Sequence, residues 1–234
     1  MELPWLRTMT QAGGRLDKKL QEEFTRYAIE RGKKFIVMYG QTEATARMSY
    51  LPWESAMGSW GSIGIPIPGG KFELVDEGNK RIEEPNRAGE LVYYGENVTM
   101  GYAERKEDMA KGDERQGKLY TGDIARRDEK GLYYIQGRKK RFVKIFGNRI
   151  NLDDVEEILR EQFQESEFAC VGEDDQLCVF TVCKNRESLP DIIPFLEKAL
   201  QLNGRAFLLF PSDRMPKNET GKVLYGELKS IVKM

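Results

Sequence analysis

Fourteen residues, Gly137 to Ile150, divide this chain. They hold two glycines and six cationic side chains: Arg138, Lys139, Lys140, Arg141, Lys144 and Arg149. Unpaired charge at that density is not buried in a continuous core, so a break between two folding units is expected near its start. Fifteen residues before Arg138 stands Asp123, in Tyr120-Thr121-Gly122-Asp123. A basic segment bounded by glycine, with a turn carboxylate upstream, suits a hinged phosphate-ester site. A third piece lies near the C-terminus, Pro216-Lys217-Asn218-Glu219-Thr220-Gly221-Lys222. Together the three suggest nucleotide chemistry, and each alone is a weak signal.

The 234 residues allow one large domain or two smaller ones, each with its own core. A hydrophobic content of 40% with 32% charged residues fits a soluble globular chain. Lys plus Arg number 37 against 38 for Asp plus Glu, so no long-range field draws nucleic acid or an anionic membrane. No apolar run approaches a membrane span, and Met1-Glu2-Leu3-Pro4 does not open a secretory signal. The chain has no histidine, which excludes Ser-His-Asp and Cys-His nucleophilic systems within it. Cys170, Cys178 and Cys183 sit in apolar runs without CxxC spacing. They read as reduced packing residues of a cytoplasmic protein, not as zinc ligands or a disulfide scaffold.

The expected fold class is mixed α+β and α/β. Leu16, Leu20, Phe24, Tyr27 and Ala28 recur at helical spacing, and Gly32 ends the run. Phe35-Ile36-Val37-Met38-Tyr39 then reads as a buried strand, half of an α/β layer. From about residue 61 to Arg127, short apolar runs alternate with turn sequences such as Asp76-Glu77-Gly78-Asn79. This predicts a β-rich subdomain shaped like a distorted barrel. Residues 1–137 are thus expected to form a partial large domain, and 138–234 a small, mobile α+β domain. In the latter Asn151 caps a helix whose apolar face is Leu152, Val155, Ile158, Leu159 and Phe163. A hairpin across 172–176, a helix opened by Ser188, a strand over 206–210 and a last helix within 224–232 follow. The strand ending at Tyr39 has no earlier partners in the chain, so an exposed sheet edge near residues 3–39 is expected. A second copy could cover it as a homodimer.

Several residues could carry chemistry. Tyr39-Gly40-Gln41-Thr42-Glu43 follows a buried strand at its C-terminal end, where ligands of open α/β sheets collect. Gly40 admits a flat ligand, Tyr39 could stack on a base, Thr42 offers a hydroxyl to phosphate, and Glu43 suits Mg2+. The same residues also fit an ordinary polar turn with Tyr39 filling core. Asp123 could accept both hydroxyls of a ribose, or form an Asx turn between strands. Arg138 could reach the same sugar or a phosphate, or belong to a solvated linker. Lys222 could offset charge developing at phosphorus, or be an exposed lysine before a helix.

In chain order, Tyr39-Gly-Gln-Thr-Glu43, Gly89-Glu-Leu91, Gly101-Tyr102, Tyr120-Thr-Gly-Asp123, Gly137-Arg138 through Gly147-Asn-Arg149, and Pro216 through Lys222 resemble the ordered motifs of the AMP-forming adenylating superfamily. That superfamily includes acyl-CoA and aryl-CoA synthetases, luciferases and peptide-synthetase adenylation domains. The resemblance implies that Tyr39 stacks on adenine, Thr42 contacts the α-phosphate and Glu43 places Mg2+. It implies that Asp123, with Arg138 nearby, binds the ribose, and that Lys140 is the hinge. Lys222 would bridge carboxylate and phosphate oxygens, and Gly147 would line the thiol tunnel after the small domain rotates. Gly64 and Gly69-Gly70 resemble the loop region near the acyl pocket and the start of the β-rich subdomain, and Ala44, Thr45 and Ala46 imply a small near wall.

The implied reaction joins a carboxylic acid to AMP from ATP, releasing pyrophosphate, and then passes the acyl group to coenzyme A or a carrier-protein phosphopantetheine. The family's Gly/Ser/Thr-rich phosphate loop, which precedes the tyrosine motif, is not in this chain. The resemblance therefore covers the C-terminal portion only, and little turnover is expected from the chain alone. The chain would then act as a fragment complemented by an N-terminal half. The alternative is a non-catalytic module that binds AMP or a carrier protein.

Overall fold

The computed structural model describes residues 4–14, 16–45, 47–173, 175–183, 187, 189–219 and 221–232. The chain divides into two compact units, Met1–Lys139 and Lys140–Met234, two residues beyond the expected boundary.

The first unit contains β1 (Thr8–Gln11), α1 (Lys18–Glu30), β2 (Lys34–Tyr39), β3 (Ser49–Tyr50), β4 (Ser62–Pro66), β5 (Lys71–Val75), β6 (Arg81–Ile82), β7 (Gly89–Tyr94), β8 (Lys118–Arg127) and β9 (Tyr133–Arg138). Among the described residues these nine strands form one open sheet, in the order β1-β2-β3-β4-β9-β8-β7-β5-β6. Only β1 and β2 are parallel; the remaining neighbours run antiparallel. The expected distorted barrel is thus replaced by an open sheet, continuous with the α/β strand through β3 and β4. The strand ending at Tyr39 thus does have an earlier partner, β1, which pairs with it in parallel and lies at one edge of the sheet.

Asp17 caps α1 by accepting from the Lys19 and Leu20 amides at 2.9 and 3.1 Å. The apolar residues expected on this helix form its buried face only in part. Leu20 and Phe24 remain about half exposed, while Gln21, Thr25 and Ala28 are buried. Gln21 is held there because its Oε1 accepts from the Gly61 amide at 2.7 Å. A polar side chain can enter a core when it replaces a hydrogen bond that water would have supplied.

Gly64 is in a strand and not in a loop. It lies within β4 at φ +76°, and a Cβ there would sit 1.9 Å from the Tyr50 carbonyl oxygen. The β3–β4 pairing brings Tyr50 opposite Ile65, and only glycine lets the backbones approach so closely.

The second unit contains the hairpin β10 (Phe142–Ile145) and β11 (Asn148–Asn151), then α2 (Leu152–Gln162), β12 (Ser166–Glu173), β13 (Gln176–Cys183), α3 (Leu189–Leu200), β14 (Phe207–Pro211) and α4 (Tyr225–Val232). Strands β12 and β13 are antiparallel, and β14 adds to β13 in parallel. The expected hairpin is longer than its apolar runs, because pairing continues to Glu173 opposite Gln176. Successive strand residues face opposite ways. Phe168, Cys170, Leu177 and Val179 pack with α2 and α3 residues such as Leu159 and Leu196. Ala169, Val171, Cys178 and Phe180 pack with Leu228 of α4 and Met215. Both faces are covered, which is why these strands read as unbroken apolar runs. Asn151 caps α2 by accepting from the Asp153 amide at 3.0 Å. Ser188, expected to open α3, lies outside the described residues. Among the described residues no helix is long and apolar enough to cross a membrane.

Replacing Gly64 by alanine is expected to destabilise the protein by about 3 kcal/mol or more, because the clash is with backbone and φ is positive. Chemical denaturation measures it; a loss below about 1 kcal/mol would show that β3 can give way.

Candidate active site

Asp123 is the centre of the first unit's site. The expected tight turn is instead an irregularity within β8. The β7–β8 register shifts between Glu90 and Val92, and Gly122 takes φ +69° inside the strand. Such a bulge adds a residue to one strand and re-aims the side chains beside it. Thr121 Oγ1 secures the irregularity, donating to the Leu91 carbonyl at 2.7 Å and accepting from the Asp123 amide at 3.1 Å. Asp123 is left 3% exposed and directly opposite Arg138 on β9.

Three side chains meet at this carboxylate. Arg138 Nε lies 2.8 Å from Asp123 Oδ1. Tyr39, at the end of β2, donates its hydroxyl to Asp123 Oδ2. Gln41 Nε2 donates to the same oxygen at 3.0 Å and to the Thr121 carbonyl at 2.9 Å. Burial first, and the Asp123 charge second, push the Tyr39 phenol far above its ordinary value, so it stays a donor. The Tyr39 ring packs edge-on against Phe72, centroids 6.4 Å apart. Arg138 keeps 57% of its side chain exposed, which leaves guanidinium surface for an anion. Sequence reasoning brought Tyr39, Asp123 and Arg138 forward but gave Gln41 no role. The signal was its place two residues beyond Tyr39, on the same side of the extended chain.

The Thr42–Glu43 segment forms a short 3-10 turn, Thr42–Ala44, directly after Gly40 and Gln41. Asn97 pins it by donating Nδ2 to the Ala44 carbonyl at 2.7 Å. Thr42 is exposed. Ala44 is fully buried in the core with Met48 and Leu91, so it is no pocket wall. Ala46 lies outside the described residues. Glu43 accepts from the Tyr102 hydroxyl, and this bond is the chief cause of a carboxyl held below its usual range. Arg115 stacks over the Tyr102 ring at 4.6 Å. Tyr102 belonged to a sequence motif, but Arg115 carried no signal. Among the described residues no group of three or more Cys, Asp or Glu gathers into a metal cage. A single ionised carboxylate suits Mg2+, which takes one or two protein carboxylates and completes its shell with phosphate and water oxygens.

The other expected site residues lie on or at the start of the second unit. Lys140 is exposed on a 3-10 turn, Lys139–Arg141. Phe146 and Gly147, at φ +49° and +84°, form the two-residue turn of the β10–β11 hairpin. Lys222 is exposed on a second hairpin, in which Lys217 pairs with Val223. Thr220 in that hairpin lies outside the described residues.

Residues 2–103 match the family model described as AMP-binding enzyme. Over 204 residues the chain is 30% identical to a long-chain-fatty-acid–CoA ligase of Escherichia coli O157:H7, covering 85% of this chain and 36% of the relative. A 2-succinylbenzoate–CoA ligase of Bacillus mycoides strain KBAB4 is 29% identical over 235 residues, covering 97% and 47%. The chain therefore spans less than half the length of these relatives. Among solved structures, o-succinylbenzoate CoA synthetase from Bacillus subtilis with its acyl-adenylate intermediate superposes with a TM-score of 0.73 at 24% identity, over 95% of this chain and 46% of that one. An adenylation protein complexed with phenylalanyl-adenylate superposes with a TM-score of 0.71 at 21% identity, over 97% and 44%. Matched motifs, relatives and fold agree: the chain belongs to the AMP-forming adenylating superfamily.

Proposed function

We propose that this chain handles the nucleotide in an AMP-forming ligation. A carboxylate oxygen attacks the α-phosphorus of ATP, and the bond to pyrophosphate breaks. A thiol of coenzyme A or of a carrier protein's phosphopantetheine then attacks the acyl carbonyl and releases AMP. The observation that carries the reading is the buried Asp123 carboxylate with Tyr39, Gln41 and Arg138 converging on it.

In this reading Asp123 accepts the ribose hydroxyls, and Arg138 and Gln41 hold its oxygens in place. The Tyr39 ring lies against adenine. Thr42 donates to the α-phosphate. Glu43 would hold Mg2+, which supplies charge neutralisation to the phosphate oxygens when bound. Lys222 offsets the negative charge that grows as carboxylate and phosphate approach. Lys140 is the swivel, and Gly147 serves the thiol step. The relatives named above act on a long-chain fatty acid and on 2-succinylbenzoate, two dissimilar acids. The proposal therefore stops at a carboxylic acid.

ATP–pyrophosphate exchange with a panel of carboxylic acids tests the reaction, on the chain alone and mixed with the N-terminal half of a relative. Exchange is expected in the mixture; folded protein without exchange in either sample removes the catalytic assignment. Calorimetry with AMP tests the site itself. Asp123→Asn keeps the shape and loses the charge, so AMP affinity is expected to fall about tenfold or more. Equal affinity in the two proteins would take the ribose away from Asp123.

The Tyr102–Glu43 bond has a pH signature. The folded carboxyl is lowered, so the bond contributes stability that is present above the unfolded value of about 4.3 and lost as pH falls through the folded value. Tyr102 is exposed, so Tyr102→Phe is expected to cost less than about 1 kcal/mol at pH 7. That deficit shrinks as pH falls below about 4, and the Glu43 titration followed by NMR moves upward in the variant. A deficit independent of pH would assign it to packing.

A further inference from the structure

Lys222 sits on a hairpin fastened at two points of the second unit. Its amide donates to Asn218 Oδ1 at 2.9 Å, and its carbonyl accepts from the Asn218 amide at 2.9 Å. The Leu224 amide closes on the Pro216 carbonyl at 2.9 Å. On the first leg, Lys217 Nζ meets Glu167 Oε2 at 2.6 Å, with side chains 38% and 55% exposed. A pair so open to water holds weakly.

The second leg runs into α4, and its first residue, Tyr225, is held differently. Its hydroxyl donates to Glu156 Oε2 at 3.0 Å, on a carboxylate side chain only 3% exposed. Glu156 also accepts from the Cys170 amide at 2.8 Å, from Arg160 at 2.9 Å, and from Arg141. The Arg141 guanidinium stacks 4.0 Å from the Tyr225 ring centroid and pairs with Asp153 at 2.8 Å. Hydrogen bonds to a buried charge are the strong kind, and a cation over an aromatic face adds to them. Burial and the Glu156 charge push the Tyr225 phenol up, so it remains a donor. Leu228, one turn on and 1% exposed, anchors the rest of the helix.

We propose that Tyr225 is a positioning residue for Lys222: clamped under Arg141 and bonded to Glu156, it fixes the second leg of the hairpin and so the direction in which the lysine amine projects. The role given to Lys222 rests on the function proposed above; the clamp itself rests on the contacts within this unit. Tyr225 stands three residues after Lys222. Its partner is a buried anion, so a tyrosine hydroxyl serves there without a charge.

The test is amide hydrogen exchange by NMR on the full chain, wild type against Tyr225→Phe, which keeps the ring and removes the hydroxyl. The Gly221 and Lys222 amides are expected to exchange about tenfold faster, the effect of one lost hydrogen bond. The β12–β13 amides of Val171 and Val179 are expected to keep their rates. Hairpin rates within about twofold of wild type, or an equal acceleration across the β12–β13 ladder, would overturn the proposal. Pyrophosphate exchange, where wild type shows it, is expected to lose kcat in Tyr225→Phe with the KM for ATP unchanged. No exchange by the wild type mixed with the N-terminal half of a relative removes the role of Lys222 and leaves the amide comparison to decide the clamp.

Discussion

The first unit's chemistry depends on one buried carboxylate. Asp123 is almost without solvent, so its charge must be met inside the protein. The cross-strand register supplies Arg138 directly opposite, and the end of β2 supplies Tyr39 and Gln41. These donors come from separate sheet positions, with β3 and β4 lying between β2 and β9. The site therefore depends on the register of the strands from β2 through β3, β4 and β9 to β8. A one-residue slip of β9 would turn Arg138 to the other face, and the Gly122 irregularity could then no longer present Asp123 to a cation.

Local chemistry on this chain was largely legible, and its geometry was not. The helix caps at Asp17 and Asn151 follow from short polar side chains placed before amphipathic runs. The strands of the second unit follow from unbroken apolar runs. The irregular β8 was read as a turn because Tyr120-Thr121-Gly122-Asp123 has turn composition. Glycine at positive φ serves a bulge as readily as a turn. The continuity of the first sheet rests on β3, a two-residue strand too short to leave a period in the sequence. Gln21 on the buried face of α1 shows the same limit. Periodicity locates a helix, but partners distant in sequence, such as Gly61, decide which face a polar residue can occupy.

The site residues divide along similar lines. Tyr39, Asp123 and Arg138 were visible as motif members, and their convergence is a property of the sheet. Gln41 and Arg115 act through contacts with residues far away in the chain, 80 positions in the case of Gln41 and Thr121. No spacing rule reports such pairs.

The basic segment looks like a solvated linker, yet three of its six cations are ion-paired. Arg138 meets Asp123 and Lys139 meets Glu90 at 2.6 Å, both within the first unit. Arg141 meets Asp153 and Glu156 within the second. Three of these acceptors, Glu90, Asp123 and Glu156, are buried carboxylates that would be costly without a cation. Cations three residues apart thus belong to different folding units, and the exposed Lys140 stands between them. Charge density that excludes this segment from a single core is also what binds each of its halves to its own unit. Rotation about φ or ψ of Lys140 leaves Lys139 on Glu90 and Arg141 on Glu156, because each cation stays with the unit that holds its carboxylate.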